Sequence, residues 1–201
     1  MTDSKDVSDW RETSIIDMEP GKITFRGRPI EDLSGTVGFV QMIWWMVMGR
    51  DIAPAQAKLL EAVLVAAVDH GPQAPSLAAA RMAATCGVGL NNAMATGLNM
   101  LGDVHGGAGE QAVELYLRLA TAGPAQLVPV LDDWRTEHGR FIPGFGHRFH
   151  KPVDPRAPRL LALVDEAAQD GAVSGAFAQI ARAIEAQLAS ERGKPPGARF
   201  V

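Results

Sequence analysis

Four of the five histidines in this 201-residue chain lie close to glycine or proline. Three of them stand in short motifs: His70 in Asp-His-Gly-Pro, His105 in Val-His-Gly-Gly, and His147 after Gly-Phe-Gly. Imidazole is the natural acid–base group near neutral pH. A neutral His105, placed just before a predicted helix, could donate a hydrogen bond to a carbonyl oxygen that becomes an enolate. A histidine that only caps the helix is the alternative.

The segment around His147 could bind an anion. Its glycines, Gly144 and Gly146 on either side of Phe145, allow backbone N–H groups to approach a ligand closely. Arg156 follows nine residues after His147, and its planar guanidinium suits a carboxylate. Lys151 adds positive charge that suits a phosphate or carboxylate. A solvated basic loop is the alternative interpretation.

Other site chemistry is less well supported by the sequence. His147 and His150 lie in a loop without clustered carboxylates, so we predict no metal site there. Cys86 lies in an apolar predicted helix, which is typical of an inert core thiol. As the single cysteine, it excludes an internal disulfide and favours a reducing, cytoplasmic location.

Composition excludes several classes of partner. The net charge is −4, from 19 basic and 23 acidic residues, which argues against nucleic-acid binding. The first ten residues contain no apolar core, so no secretory signal is predicted. The longest apolar stretch, residues 37–48, is shorter than the ~20 residues of a membrane helix. We therefore predict no membrane partner, and a buried core helix or a homodimer interface at this stretch.

Helical patterns dominate the rest of the chain. Residues 21–30 alternate apolar and polar side chains between glycines, which predicts one strand or hairpin. Residues 139–157 are too rich in Gly and Pro for a helix or strand and predict a long, functional loop. Helical spacing predicts seven further helices, over residues 53–68, 76–86, 91–101, 106–121, 124–138, 158–169 and 173–192.

Four motifs together resemble the citrate synthase superfamily. They are RGRPIEDL at residues 26–33, Asp69-His70, GDVHGGA at 102–108, and GFGH at 144–147 followed by DPR at 154–156. Their order and spacing agree with that family from about residue 23 to about residue 192. The resemblance implies an all-α fold with a large domain portion over residues 1–103 and a small domain over 104–193. Residues 194–201 are expected to be an unstructured tail.

The resemblance also implies a role for each matching residue. His105 corresponds to the histidine that hydrogen-bonds the thioester carbonyl as it becomes an enol. His147 corresponds to the histidine that exchanges a proton with the oxaloacetate carbonyl or the citryl hydroxyl. Two residues match groups that hold substrate carboxylates, His70 and Arg156. Four match the coenzyme A loop: Gly144, Phe145, Gly146 and Lys151.

The short span between residues 26 and 70 is similar to short citryl-CoA lyases and to the citryl-CoA lyase module of ATP-citrate lyase. This implies cleavage of citryl-CoA to acetyl-CoA and oxaloacetate by a homodimer, with a coenzyme A thioester as substrate and no other cofactor. Citrate synthase, which condenses acetyl-CoA with oxaloacetate, is one alternative. A non-catalytic subunit or remnant that binds coenzyme A is the other.

One departure from the family pattern concerns the group that protonates carbon. In the family this group is an aspartate after the last helix of the small domain, whereas no aspartate follows Asp170 here. We therefore expect a C-terminally incomplete large domain. Because an acid–base group contributes about 10²- to 10⁴-fold to the rate, we also expect weak turnover.

Overall fold

The computed structural model describes residues 12–147, 150 and 153–191. Within these ranges it contains nine α-helices, one short 3₁₀ turn and one three-stranded sheet. The predicted mostly helical class is confirmed. The chain divides into two compact units, Met1–Glu61 and Ala62–Val201. The domain boundary expected after Asp103 stays a prediction.

The sheet in the first unit is an antiparallel meander of β1 (Ile16–Glu19), β2 (Lys22–Phe25) and β3 (Arg28–Pro29). Strand β1 pairs with β2 in a register that places Ile16 opposite Phe25. Gly21 takes the positive φ of 81° that this tight connection requires. The hairpin predicted over residues 21–30 is therefore confirmed as β2 and β3, and β1 is one additional strand before it.

Helices α1 (Ile30–Leu33) and α2 (Phe39–Met48) follow the sheet. The Arg26 guanidinium donates to the Met46 carbonyl oxygen at 2.8 Å and so ties the sheet to α2. The prediction of a buried core helix here was wrong, since no residue of α2 is buried. The first unit contains too few other elements to cover a helix that is apolar on all sides. The alternative of a subunit interface stays a prediction.

Helix α3 (Pro54–Ala66) leads to a pair of helices rich in small residues, α4 (Pro75–Thr85) and α5 (Leu90–Leu98). The two backbones approach closely at Gly97, where an added Cβ would lie 3.1 Å from the Ser76 carbonyl oxygen. This confirms the predicted close packing. Cys86, predicted in the core, is exposed instead, because α4 ends at Thr85 and Gly87 turns the chain with a φ of 79°.

Helices α6 (Ala108–Ala122), α7 (Leu127–His138), α8 (Arg156–Gln169) and α9 (Ala176–Glu191) complete the second unit. Its apolar core lies where α6, α7 and α9 pack together, and the loop that follows α7 contributes one more side chain. The buried members of this core are Leu115, Leu119, Leu131, Trp134, Ile142, Ile184 and Leu188. No helix in the described ranges has the length and apolar character needed to cross a membrane.

Candidate functional site

A chain of contacts joins three of the predicted site residues. His70 Nε2 lies 2.9 Å from His147 Nε2, and the two rings are tilted with centroids 5.1 Å apart. On its other side, His70 Nδ1 lies 3.3 Å from the NH1 nitrogen of Arg156. The structure therefore brings His70, His147 and Arg156 together across 86 residues of sequence.

Asp154 holds Arg156 in this position. The carboxylate accepts hydrogen bonds from the Arg156 backbone N–H at 2.9 Å and from Nε at 2.9 Å, with a third from NH2. Asp154 is only 2% exposed. The hydrogen bonds from the Arg156 side chain hold the pKa of Asp154 far below its usual range, so it remains a carboxylate. The NH1 edge of Arg156 stays directed toward His70 and the Ala66 carbonyl oxygen.

The hydrogen-bond partner of His70 determines which of its ring nitrogens carries the proton. A guanidinium can only donate, so the Nδ1 atom of His70 accepts from Arg156 and its proton sits on Nε2. That Nε2–H then donates to His147 Nε2. On the other side of the His147 ring, the His150 backbone nitrogen lies 3.1 Å from Nδ1 and directs its N–H at that atom. A neutral imidazole has only one acceptor nitrogen, so neutral His147 can accept only one of these two hydrogen bonds.

His147 is kept neutral by its surroundings. Burial lowers the pKa of its imidazole, and the neighbouring His150 lowers it further. The charge of Asp154 acts in the opposite direction but does not reverse the shift. A neutral imidazole can accept a proton near neutral pH, which is the property required of a general base.

His105 lies at the N-terminus of α4. Its Nε2 atom accepts from the Ser76 backbone N–H at 3.3 Å and contacts Ser76 Oγ at 3.0 Å. Ser76 is the second residue of this helix, where backbone N–H groups have no partner within the helix. Because Nε2 accepts, the neutral ring carries its proton on Nδ1 and can donate it to a carbonyl oxygen. The sequence predicts His105 just before the helix of residues 106–121. In the structure that helix, α6, begins at Ala108.

The loop after α7 carries the predicted coenzyme A motif. Gly144 and Gly146 both take positive φ angles, of 81° and 90°. Gly144 faces α6, where an added Cβ would lie 3.5 Å from the Ala112 side chain. Phe145 packs against the core and anchors the loop. Lys151, the fourth residue predicted to bind coenzyme A, lies outside the described residues.

Gly107→Ala tests how closely the chain is packed beside His105. An added Cβ at Gly107 would lie 2.7 Å from Asp103 Cα and 3.0 Å from the Gly102 carbonyl oxygen. Both neighbours are backbone atoms, so the loop that carries His105 must shift. We expect a loss of about 1–3 kcal/mol in the free energy of unfolding, measured by urea denaturation. Gly109→Ala, where no atom lies within 4 Å, is the matched control and should not destabilise the chain.

One group of side chains has the spacing of a metal site. The ligand atoms of His147, His150 and Asp154 lie within 4.8 Å of one another. The sequence argument was that carboxylates do not cluster near these histidines, and in the structure a single carboxylate, Asp154, lies beside them. Both oxygens of Asp154 already accept hydrogen bonds from Arg156, which favours an ion pair over metal coordination. The absence of a metal stays a prediction.

Two residues of the site were missed in the sequence. Asp154 stands two residues before Arg156, a spacing at which an aspartate side chain commonly accepts the backbone N–H. Ser76 follows Pro75 in the first turn of α4, a position that leaves an N–H available. These local signals could have identified both side chains as hydrogen-bond partners. Their pairing with His105 and Arg156 depends on the tertiary structure.

The fold and site define a helical protein in which two imidazole groups and a guanidinium group lie together. A family model described as citrate synthase, C-terminal domain, matches residues 36–200. The chain therefore belongs to the citrate synthase family, and the resemblance noted in the sequence is confirmed.

Individual relatives agree with this assignment. The chain is similar to a solved citryl-CoA lyase from Hydrogenobacter thermophilus, with 29% identity, a TM-score of 0.77, and coverage of 94% of this chain and 70% of that one. The ATP citrate lyase of Methanosaeta concilii shares the fold, with a TM-score of 0.78 at 21% identity over 96% of this chain and 32% of that one. A citrate synthase from Acidithiobacillus ferridurans is 28% identical over 82% of this chain and 41% of its own length. The chain thus spans less than half of that curated relative.

Proposed function

We propose that the chain is a citryl-CoA lyase-type enzyme that cleaves citryl-CoA to acetyl-CoA and oxaloacetate. The observation that carries this proposal is the convergence of His70, His147 and Arg156, which provides donors for a carboxylate and an oxygen at one place. The similarity to a solved citryl-CoA lyase at 29% identity supports this substrate. The coenzyme A part would lie along the loop of Gly144, Phe145 and Gly146, together with Lys151.

In the proposed reaction, the acceptor nitrogen of neutral His147 takes the hydroxyl proton of citryl-CoA. The hydroxyl oxygen becomes the carbonyl oxygen of oxaloacetate as the carbon–carbon bond breaks, and the bonding electron pair passes to the thioester as an enolate. The Nδ1–H of His105 stabilises the enolate oxygen. His70 and Arg156 bind the carboxylates of the substrate. A proton from solvent then adds to the enolate carbon to give acetyl-CoA, and protonated His147 returns its proton to solvent. The expectation that turnover is weak stays a prediction.

Two assays with the purified chain test this function. One supplies citryl-CoA and follows oxaloacetate, and the other supplies acetyl-CoA with oxaloacetate and follows release of the coenzyme A thiol. Efficient cleavage in the first assay would support the lyase. Efficient condensation would support citrate synthase, the alternative favoured by relatives such as the Acidithiobacillus enzyme. Coenzyme A binding by calorimetry without either reaction would support the non-catalytic alternative.

We further propose that the protein is a homodimer that pairs through α5. Ala93 and Gly97 are buried on one face of this helix, whereas Leu90, Met94 and Leu98 on the other face are each more than 60% exposed. These three residues repeat at every fourth position and form one apolar stripe. An apolar stripe of this size is typical of an interface with another protein surface. A second copy of the chain would cover the same stripe on both subunits.

Leu98→Glu tests the dimer. We expect the wild-type chain to elute as a dimer and the variant as a monomer in size-exclusion chromatography with light scattering, because a carboxylate in an apolar interface loses its hydration. Leu117→Glu, at an exposed leucine of α6, is the control and should remain dimeric. A monomeric wild-type chain, or a Leu98→Glu variant that stays dimeric, would contradict pairing through this stripe.

A further inference from the structure

Asp154 is the one buried acidic residue among the described residues, and the proposed reaction does not use it directly. Asp154 would not touch the substrate, but it contacts Arg156, which would. Its contacts run to Arg156, whose far edge contacts His70, which in turn contacts His147. Asp154 therefore occupies the end of an ordered series of hydrogen bonds that leads to the proposed base.

The contacts of Asp154 fix one edge of a guanidinium and leave another edge available. The carboxylate takes the backbone N–H, the Nε–H and one NH2 proton of Arg156. NH1 alone is directed at the Nδ1 atom of His70, 3.3 Å away. Without the carboxylate, rotation of the Arg156 side chain could present any of its five protons, or none, to His70. Asp154 thus determines, through Arg156, which ring nitrogen of His70 carries the proton.

We propose that Asp154 is a positioning residue that holds Arg156 so that His70 keeps its proton on Nε2 and donates it to the keto-acid part of the substrate. The keto-acid as substrate rests on the proposed function. The positioning of His70 itself rests on the geometry of the four side chains. Asp154 acts through Arg156 and His70 and does not contact the substrate.

The decisive measurement is the tautomer of His70, observed by ¹⁵N NMR of the histidine rings in the full chain without substrate. We expect the Nε2–H tautomer in the wild-type protein and a mixture of tautomers in Asp154→Asn. Asp165→Asn is the matched control, because Asp165 forms a similar two-point pair with Arg182 at 3.0 and 2.6 Å. The control should leave His70 unchanged. A wild-type His70 protonated on Nδ1, or a tautomer that ignores Asp154→Asn, would overturn the proposal.

Binding measurements separate positioning from a general structural role. We expect Asp154→Asn to weaken oxaloacetate binding by about 100-fold, the typical cost of a misplaced group in a site, and to leave coenzyme A binding unchanged. The double variant with Arg156→Gln should bind no worse than Arg156→Gln alone, because Asp154 acts only through that arginine. If the losses of oxaloacetate affinity in the two single variants multiply in the double variant, the proposal is overturned.

The proposal can still be tested if Asp154→Asn does not fold or if the wild-type chain binds no oxaloacetate. If Asp154→Asn does not fold, Arg156→Gln replaces it, and the same mixture of His70 tautomers is expected. An unchanged tautomer in that variant would overturn the proposal. If the wild-type chain binds no oxaloacetate but its His70 tautomer responds as expected, the proposed function is contradicted and the positioning by Asp154 is supported.

Discussion

His147→Ala is expected to lower the rate of citryl-CoA cleavage by about 10²- to 10⁴-fold, the usual contribution of a positioned general base. Without the imidazole, the hydroxyl proton of citryl-CoA loses its proposed acceptor. The effect should fall on kcat more than on KM, because the proton moves only in the transition state. The measurement is the rate of oxaloacetate release over a range of citryl-CoA concentrations, which gives kcat and KM separately.

The control for this prediction is His138→Ala. His138 is a histidine on α7 that stacks on Trp134 and lies outside the group formed by His70, His147 and Arg156. Its removal should leave the cleavage rate within about threefold of the wild-type rate, since it touches none of the reacting groups. A His147→Ala variant that folds normally and cleaves at the wild-type rate would rule out His147 as the base.

Trp134→Ala is expected to lower the free energy of unfolding by about 3–5 kcal/mol, as large-to-small substitutions of buried aromatic residues do. Trp134 is 1% exposed in the core where α6, α7 and α9 meet. Its ring also contacts two charged or polar groups, Arg118 at 5.0 Å and His138 at 4.2 Å between centres. Alanine leaves a cavity that the surrounding helices cannot fill without moving apart.

Urea denaturation followed by far-UV circular dichroism measures this loss for the second unit. Phe141→Ala is the matched control, because Phe141 is an aromatic residue that is 73% exposed in the loop after α7. Its substitution should change stability by no more than about 0.5 kcal/mol. A loss below about 1 kcal/mol for Trp134→Ala would indicate that the core repacks around the missing ring.

The sequence alone predicted the helical class, the helices from α3 onward and the family. Helical spacing of apolar residues is a local property, and seven segments carried it clearly enough to place helices within a few residues of their ends. Gly and Pro marked the loop after α7 for the same local reason. The loop prediction extended slightly too far, because Arg156 and Ala157 already belong to α8.

The sequence also named His70, His147 and Arg156, but on separate grounds. Each stands in a motif whose backbone or charge suits a ligand, and only the tertiary structure brings the three side chains into contact. Asp154, the partner of Arg156, and Ser76, the partner of His105, were missed because an aspartate near proline and a serine in a first turn are common in structures of every kind. A hydrogen bond over 29 or more residues, such as that from Ser76 to His105, has no local signature.

Burial was the other property that the sequence could not determine. The apolar helix α2 and Cys86 were both predicted in the core, and neither is buried in the structure. Apolar composition indicates a preference for leaving water, whereas burial also requires another element of the chain to pack against that surface. Whether such an element is present depends on the whole fold, which is why local pattern determined the helices and tertiary packing alone decided the core and the site.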